Sequence, residues 1–404
     1  MKKITGNKIG INLFMINAFV YISFSLYMPF LSSYYSKAGI NALQIGILLT
    51  VGPVIAIIIQ PLWAILSDKT GRRRDVLSLM VLGSGLSIFS YYIGRTFLTF
   101  FIATIIISFF VTAIVPLSDA IIIRSATMNQ LDFAKIRMGG TIGFGIVVVI
   151  AGAIIKQNPS ILFALGFIGY MLLFIFVRRL PKDEQSETLQ TEDHAPPKPS
   201  KKERLGFLKI FESKEVLFVL AFAFISQVGL SFNYSFLGVY MVNLNLSEGT
   251  IGIINCVSAF SELPILFLIN RVIQKISTMK IIIISCLLVG LRIFTVTGGT
   301  LSYIILSQSL HGLCYMTIYY SCAVFISKHV RPENQSQGQS ILAIVQTGIG
   351  SIVGNILGGF LVDYYGLKIA YQFMAALIVT VSTIIFVIQV IYQKKMKLKV
   401  IKEI

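Results

Sequence analysis

Charge is what this chain has least of. Of its 404 residues only 13% are Asp, Glu, Lys or Arg, against a hydrophobic share of 55%. A water-facing domain carries roughly a quarter of its residues charged, so most of this surface must face something other than water. Histidine is almost absent: His194, His311 and His329 are the only three, and none lies near another. A membrane enzyme needs a clustered acid, base, nucleophile or metal set, and this scarcity speaks against one. The four cysteines, Cys256, Cys286, Cys314 and Cys322, form no CxxC pair. That removes the usual metal spacing, and no metal or cofactor is expected. All four cysteines fall in apolar stretches and read as small buried side chains.

What the chain has instead is long apolar runs. Ile11 to Phe30, Ile45 to Leu66, Ile102 to Pro116, Val216 to Tyr240 and Ala370 to Tyr392 are examples nearly free of charge. A bilayer core of about 30 Å needs ~20 such residues in an α-helix. Lipid cannot satisfy open backbone groups, so each run must be helical. A β-barrel would show short alternating segments, and these runs do not alternate. The predicted spans are 10–32, 43–66, 76–94, 97–124, 137–156 and 160–178, then 214–241, 250–270, 280–298, 301–327, 338–362 and 369–392. The first run has spanning length and no clear small-residue cleavage site, so it is expected to remain a span.

The net charge is +17, which in a soluble protein would suggest nucleic acid as partner. The placement of the charges argues against that. With the N-terminus inside, the inner segments hold Lys2, Lys3, Lys8, Lys69, Arg72, Arg73, Arg74, Arg124, Lys135, Arg271, Lys275, Lys280, Lys328, Arg331 and the lysines after Tyr392. The outer loops hold only Lys37, Arg95, Lys156 and Lys368. This asymmetry places both termini in the cytoplasm and requires an even number of spans. The expected location is the plasma membrane, with the lipid bilayer as surroundings and no nucleic-acid partner.

The stretch 180–212 is polar, charged and Pro-containing, and is too poor in apolar residues to fold alone. It reads as a cytoplasmic linker between a six-helix bundle at 1–179 and a second at 213–392, with a basic tail at 393–404. The halves look like weak repeats, each with a polar break before a Gly-rich fifth helix. Gly140, Gly143 and Gly145 mark the first such helix, and Gly350, Gly354 and Gly358 the second. Small residues one turn apart let helices approach closely, either as static packing or as a seam on which the halves rock. Two such halves are the layout of secondary transporters, with a site near the midplane.

Charged residues inside spans are expensive and tend to be functional. Asp119 lies in the fourth span, Glu262 in the eighth and Arg292 in the ninth, while Arg137 opens the fifth. Asp119 and Arg137 stand 18 residues apart across one short turn, which lets antiparallel helices bring them face to face. They form either a permanent structural pair or a carboxylate whose partner comes and goes, which is a route to proton coupling. Glu262 precedes Pro264, which can kink the helix. It is placed to bind protons, to bind substrate or to pair with Arg292, and all three roles stand open here. His311, with an ordinary pKa near 6.5, is either a proton or substrate group or a structural residue. The string SDKTGRRRD at 67–75 joins the second and third spans, where Asp68 can cap a helix start and pair with arginine. Gly71 permits a tight turn, and Asp68, Gly71 and Arg72 are the candidate conformational motif. Tyr27, Asn233 and Tyr234 are candidate solute contacts, with Gln308 and Gln346 as further amides; such groups also serve as interhelical links.

SDKTGRRRD resembles the signature loop between helices two and three of the major facilitator superfamily. VPLSDA followed by LDFAKIRMGGTIGFG is similar to the fourth-to-fifth helix region of the phenylpropionate-permease branch, which is related to lactose/proton symporters. SELP of helix eight, the arginine of helix nine and LHG of helix ten fit the same branch. The resemblance covers most of the chain. It implies an all-α major facilitator fold of twelve transmembrane helices in two six-helix bundles. It also implies substrate-binding roles for Asp119 and Arg137, and places near the proton site for Arg292 and His311. The chain departs from lactose permease at Cys314, where that protein carries its proton-bearing glutamate. A cysteine cannot serve as that carboxylate near neutral pH, so Asp119 or Glu262 would have to carry the proton.

The expectation is therefore a monomeric, non-enzymatic secondary transporter. It would import a small solute, a sugar or an aromatic carboxylate, together with protons. A proton-driven efflux antiporter is the alternative, and a non-transporting sensor a lesser one.

Overall fold

The computed structural model describes residues 2–180, 213–331 and 334–403, which are almost entirely helical and contain no strand. Among the described residues, eleven stretches are long and apolar enough to cross a membrane. They are α1 (Lys8–Lys37), α2 (Ala42–Thr70), α3 (Arg73–Tyr92), α4 (Phe97–Met128), α5 (Lys135–Gln157), α6 (Pro159–Arg178), α7 (Lys214–Asn243), α8 (Glu248–Ile269), α9 (Thr278–Val296), α10 (Leu301–His329) and a final stretch of 59 residues, Gln337–Lys395. Gly366 divides this last stretch with φ 77 and ψ 165, a conformation open to glycine. The result is α11 (337–365) and α12 (from 367), which gives twelve helical stretches among the described residues, in keeping with the major facilitator fold expected. The helix of α12 runs on to Glu403. The linker expected at 180–212 lies, beyond Leu180, outside the described residues, as do the tail's side chains beyond Lys395.

The chain forms two compact units: Met1–Asp193 with Ser235–Phe260, and His194–Tyr234 with Ser261–Ile404. Helices α7 and α8 each contribute to both. Their connected ends belong to the first unit and their far ends to the second.

In the first unit α1 packs against α5 and α6, α3 against α6, and α2 against α4. Gly140 brings α5 onto α1, since a Cβ there would meet the Tyr21 ring at 2.5 Å and Asn17 Oδ1 at 2.8 Å. The Gly140 N–H donates to that Asn17 oxygen over 2.9 Å. Helix α4 is broken between Val111 and Ile114. Pro116 has no N–H to give the Thr112 carbonyl four residues back, and Gln60 of α2 supplies the missing donor through Nε2 at 2.7 Å. Trp63 Nε1, one turn on, donates to the Phe109 carbonyl at 2.7 Å. An open carbonyl in lipid costs several kcal/mol, so these two side chains make the break tolerable. It is the second half of α4, Ile114–Met128, that carries Asp119.

Tyr27, expected among the solute contacts, is instead a core residue. It sits at the break in α1, is 2% exposed, and its hydroxyl bonds the Tyr170 hydroxyl at 2.9 Å. Its ring is buried and its hydroxyl is already engaged by Tyr170 of α6, unlike the unpartnered amide of Asn233.

In the second unit α9 packs against α10 and α12. Helix α11 contains a π-helical turn, Ile344–Gly350, in which Gln346 is buried. Beyond it α11 meets α7. A Cβ on Gly354 would collide with the Val228 carbonyl oxygen, and one on Gly350 would lie 2.9 Å from Gln227 Cβ. Ser231 Oγ donates to Asn355 Oδ1 at 2.6 Å and Gln227 Nε2 to Ser351 Oγ at 3.0 Å. Such bonds are each worth roughly 0.6 kcal/mol between membrane helices. At Gly350 and Gly354 the glycine row is thus a packing surface for α7 inside one unit, and the rocking-seam expectation does not apply to them.

Candidate functional site

The intramembrane charged residues singled out by the sequence gather in one cluster in each unit, Asp119 with Arg137 in the first and Glu262 with His311 in the second. In the first unit the turn at 129–132 reverses the chain, so α4 and α5 run antiparallel. Arg137 Nη1 lies 3.7 Å from Asp119 Oδ1, and both side chains keep partial exposure, 41% and 26%. The Arg137 guanidinium also lies over the Tyr21 ring, 4.6 Å from its centre. The close α1–α5 approach at Gly140 puts Tyr21 there. An arginine with a carboxylate on one side and an aromatic face on another retains donors of fixed planar geometry. Those donors suit hydroxyls, or a second carboxylate held bidentately.

In the second unit Glu262 Oε1 is 2.9 Å from His311 Nε2. The Tyr234 hydroxyl stands 3.0 Å from the same ring nitrogen, while the Tyr234 side chain is half exposed. The His311 ring stacks on Tyr315, with centres 5.2 Å apart and planes 11° from parallel. Helix α10 is interrupted at Leu310, and Gly312 directly follows the histidine. The Gly312 N–H donates to Ser261 Oγ of α8 at 2.9 Å. This contact sets Glu262, the residue after Ser261, against His311.

Of the three roles open to Glu262, pairing with Arg292 is ruled out by the geometry. Arg292 is fully buried, donating Nε to the Ser307 carbonyl at 3.1 Å and Nη2 to Gln308 Oε1 at 2.8 Å. Its guanidinium carbon lies 6.0 Å from the centre of the Tyr234 ring. Arg292 therefore stands beside the Glu262–His311–Tyr234 group as a buried cation, with no carboxylate partner among the described residues. Asn233 is 1% exposed and neither atom of its amide has a partner; Arg292 Nη1 and Gln308 Nε2 are also unbonded. A buried polar group left unsatisfied costs about 1–3 kcal/mol, so these atoms hold unused hydrogen-bonding capacity in the second unit.

The turn between α2 and α3 departs from expectation in detail. Asp68 lies in the last turn of α2, not at a helix start, and pairs with Arg73 at 3.3 Å. Gly71, at φ 65, ends α2 in the left-handed region. The Arg72 N–H donates to Thr70 Oγ1 at 3.4 Å. Asp75 is a further ionic residue at this turn that its spacing does not announce. Its carboxylate accepts from Arg74 Nη2 at 3.0 Å and from Arg178 Nη1 at 2.8 Å, and Arg74 Nη1 donates to the Leu180 carbonyl at 3.2 Å. This network ties the start of α3 to the end of α6. Asp75 lies 103 residues from Arg178, and such a distance leaves no local signal. Tyr21 and Ser261 were missed for the same reason: an aromatic or a serine in a span is ordinary until its neighbour is known.

A family profile described as the MFS_1 like family matches residues 11–373. The chain is 22% identical over 361 residues to the uncharacterized transporter YwbF of Bacillus subtilis (strain 168), covering 87% of this chain and 86% of that one. It is 22% identical over 362 residues to the maltose permease of Geobacillus stearothermophilus, with 88% of each covered. Among solved structures it superposes on the nucleoside transporter NupG (D323A mutant) with a TM-score of 0.81 at 19% identity, covering 94% of this chain and 99% of that chain. These relatives are transporters, not enzymes, and the shared architecture is the major facilitator fold.

Proposed function

The chain belongs to the MFS_1 like family, and on that premise we propose that it imports a small organic solute across the plasma membrane by alternating access, coupled to protons. The observation that carries the coupling is the Glu262–His311 contact at 2.9 Å within the spans. Both members of that pair can bind and release a proton, whereas the guanidinium of Arg137, facing Asp119, holds its proton throughout. Glu262 with His311 is therefore assigned the proton, and Asp119 with Arg137 the solute. Asn233 and Tyr234 are assigned to the solute as well, because one offers an unused amide and the other an accessible ring.

The solute class best suited to these groups is a hydroxyl-rich or carboxylate-bearing molecule: a sugar, a nucleoside or an aromatic acid. Relatives named for maltose and nucleosides favour the first two. The Lys and Arg distribution supports both termini lying in the cytoplasm.

The deciding experiment is uptake into proteoliposomes under an imposed pH gradient, using maltose, a nucleoside and an aromatic acid as probes. Asp119→Asn and Arg137→Ala are expected to abolish uptake while the protein stays folded in the membrane. Full transport by both variants would defeat the assignment of the solute site.

A further inference from the structure

At the end of the first unit remote from Asp119, a cavity of about 160 Å³ is lined by Tyr34 and Lys37 of α1, Arg95 of the α3–α4 turn, Ser160 at the start of α6 and Glu248 at the start of α8. Its charges are unusual for this chain. Outer-loop cations are few, yet Lys37 and Arg95 line this one pocket, and the stem of Lys156 comes within 3.7 Å of the Cβ position at Gly249, next to Glu248. Two of the four outer basic residues thus line one pocket with Glu248, and only Lys37 is paired with its carboxylate. Lys37 is ion-paired with Glu248, whose side chain is only 9% exposed. Arg95 is exposed and has no ion-pair partner among the described residues. A guanidinium and an ammonium at one pocket, with the Tyr34 and Ser160 hydroxyls also in its lining, form a donor set for an oxyanion.

We propose that this pocket binds a small oxyanion, a phosphate or carboxylate group, between Arg95 and Lys37, and that Glu248 is the built-in competitor that occupies Lys37 when the pocket is empty. The site is complete within the first unit. It shares no residue with Asp119–Arg137 or with Glu262–His311, so it stands apart from the proposed solute and proton sites. The incoming anion exchanges one acceptor at Lys37 for another and gains Arg95, which Glu248 does not engage.

The test is a titration of the full chain, held in phosphatidylcholine nanodiscs, with sodium phosphate against sodium chloride at matched ionic strength, read as the thermal unfolding midpoint. A specific ligand raises that midpoint saturably by mass action. Phosphate is expected to raise it and matched chloride not. Arg95→Gln is expected to abolish the rise, and Arg137→Gln to leave it. Glu248→Gln frees Lys37 and is expected to tighten phosphate binding by roughly two- to fivefold, the scale of a partly exposed ion pair. A purely structural Glu248 would leave the affinity unchanged or weaken it. Equal responses to phosphate and chloride, an unaltered response in Arg95→Gln, or unchanged or weaker binding in Glu248→Gln would each overturn the proposal. Repeating the titration in phosphatidylglycerol nanodiscs separates a dissolved anion from a lipid phosphate. A dissolved-anion site keeps its response, and loss of it would assign the pocket to the headgroup instead.

Discussion

Gly312 and Ser261 hold α10 and α8 at a distance that leaves no room for a methyl group. The Gly312 N–H donates to the Ser261 hydroxyl at 2.9 Å, and a Cβ on Gly312 would fall on the Ser261 carbonyl oxygen and 2.9 Å from Glu262 Cα. The approach of Glu262 to His311 depends on this contact. Gly312→Ala is therefore expected to separate the helices, to cost about 1–3 kcal/mol from overpacking, and to depress transport. Thermal unfolding and uptake measured on the same preparation check this. A variant that melts and transports like the parent would show that the contact is not needed.

Glu262→Gln removes a proton-binding group and keeps its size. Accumulation driven by a pH gradient should disappear, while exchange of labelled for unlabelled solute across the membrane persists. With one proton per solute, a gradient of one pH unit supports about tenfold accumulation in the parent protein. His311→Gln should behave likewise, since the two groups act together. Undiminished accumulation by either variant would move the proton elsewhere.

The break in α4 yields a double-mutant test. Gln60→Leu strips the donor from the Thr112 carbonyl and should cost roughly 1–3 kcal/mol. Pro116→Ala restores a backbone N–H four residues on, able to serve the same carbonyl. In the Pro116→Ala background the Gln60→Leu change should cost clearly less. Equal costs in both backgrounds would mean that the Gln60 amide is not compensating the proline.

At the α2–α3 turn, Asp75 serves one cation that is nearly buried and one that is exposed: the side chain of Arg74 is 8% accessible and that of Arg178 47%. Asp75→Asn leaves a buried guanidinium without its carboxylate, whereas Arg178→Gln removes only an exposed pair worth roughly 0–1 kcal/mol. Unfolding midpoints should therefore fall further for Asp75→Asn than for Arg178→Gln. The reverse order would deny Arg74 its assigned dependence.

Much of this architecture is legible in the sequence. Long apolar runs and the one-sided distribution of lysine and arginine follow from the physics of the bilayer, which acts on every residue alike and so leaves a signal in composition. The meeting of Asp119 and Arg137 was legible because a single short turn separates their helices. Partners joined by tertiary approach alone were not. Glu262 faces His311 and not Arg292 because α8 and α10 touch at Gly312, and no spacing rule encodes that touch. Lys37 and Glu248 are 211 residues apart, yet share one pocket. Tyr27 looked available because a tyrosine in a span has a polar end, but Tyr170 satisfies that end from a helix far along the chain. Asp68 was expected to cap a helix start, whereas α2 continues through it to Gly71.

The division of α7 and α8 between the two units bears on how the protein could be taken apart. Residues 235–260 lie after the polar stretch in sequence, yet they pack with the first unit. Gly252 shows how closely: a Cβ there would come within 2.5 Å of the Val148 carbonyl oxygen of α5. A gene cut at the polar stretch would thus yield an amino-terminal fragment with an uncovered groove along α5, and a carboxyl-terminal fragment bearing a hairpin with nothing to lean on. Co-expressed fragments should regain a folded state only by docking that hairpin into the groove, and each alone should be the preferred prey of quality-control proteases.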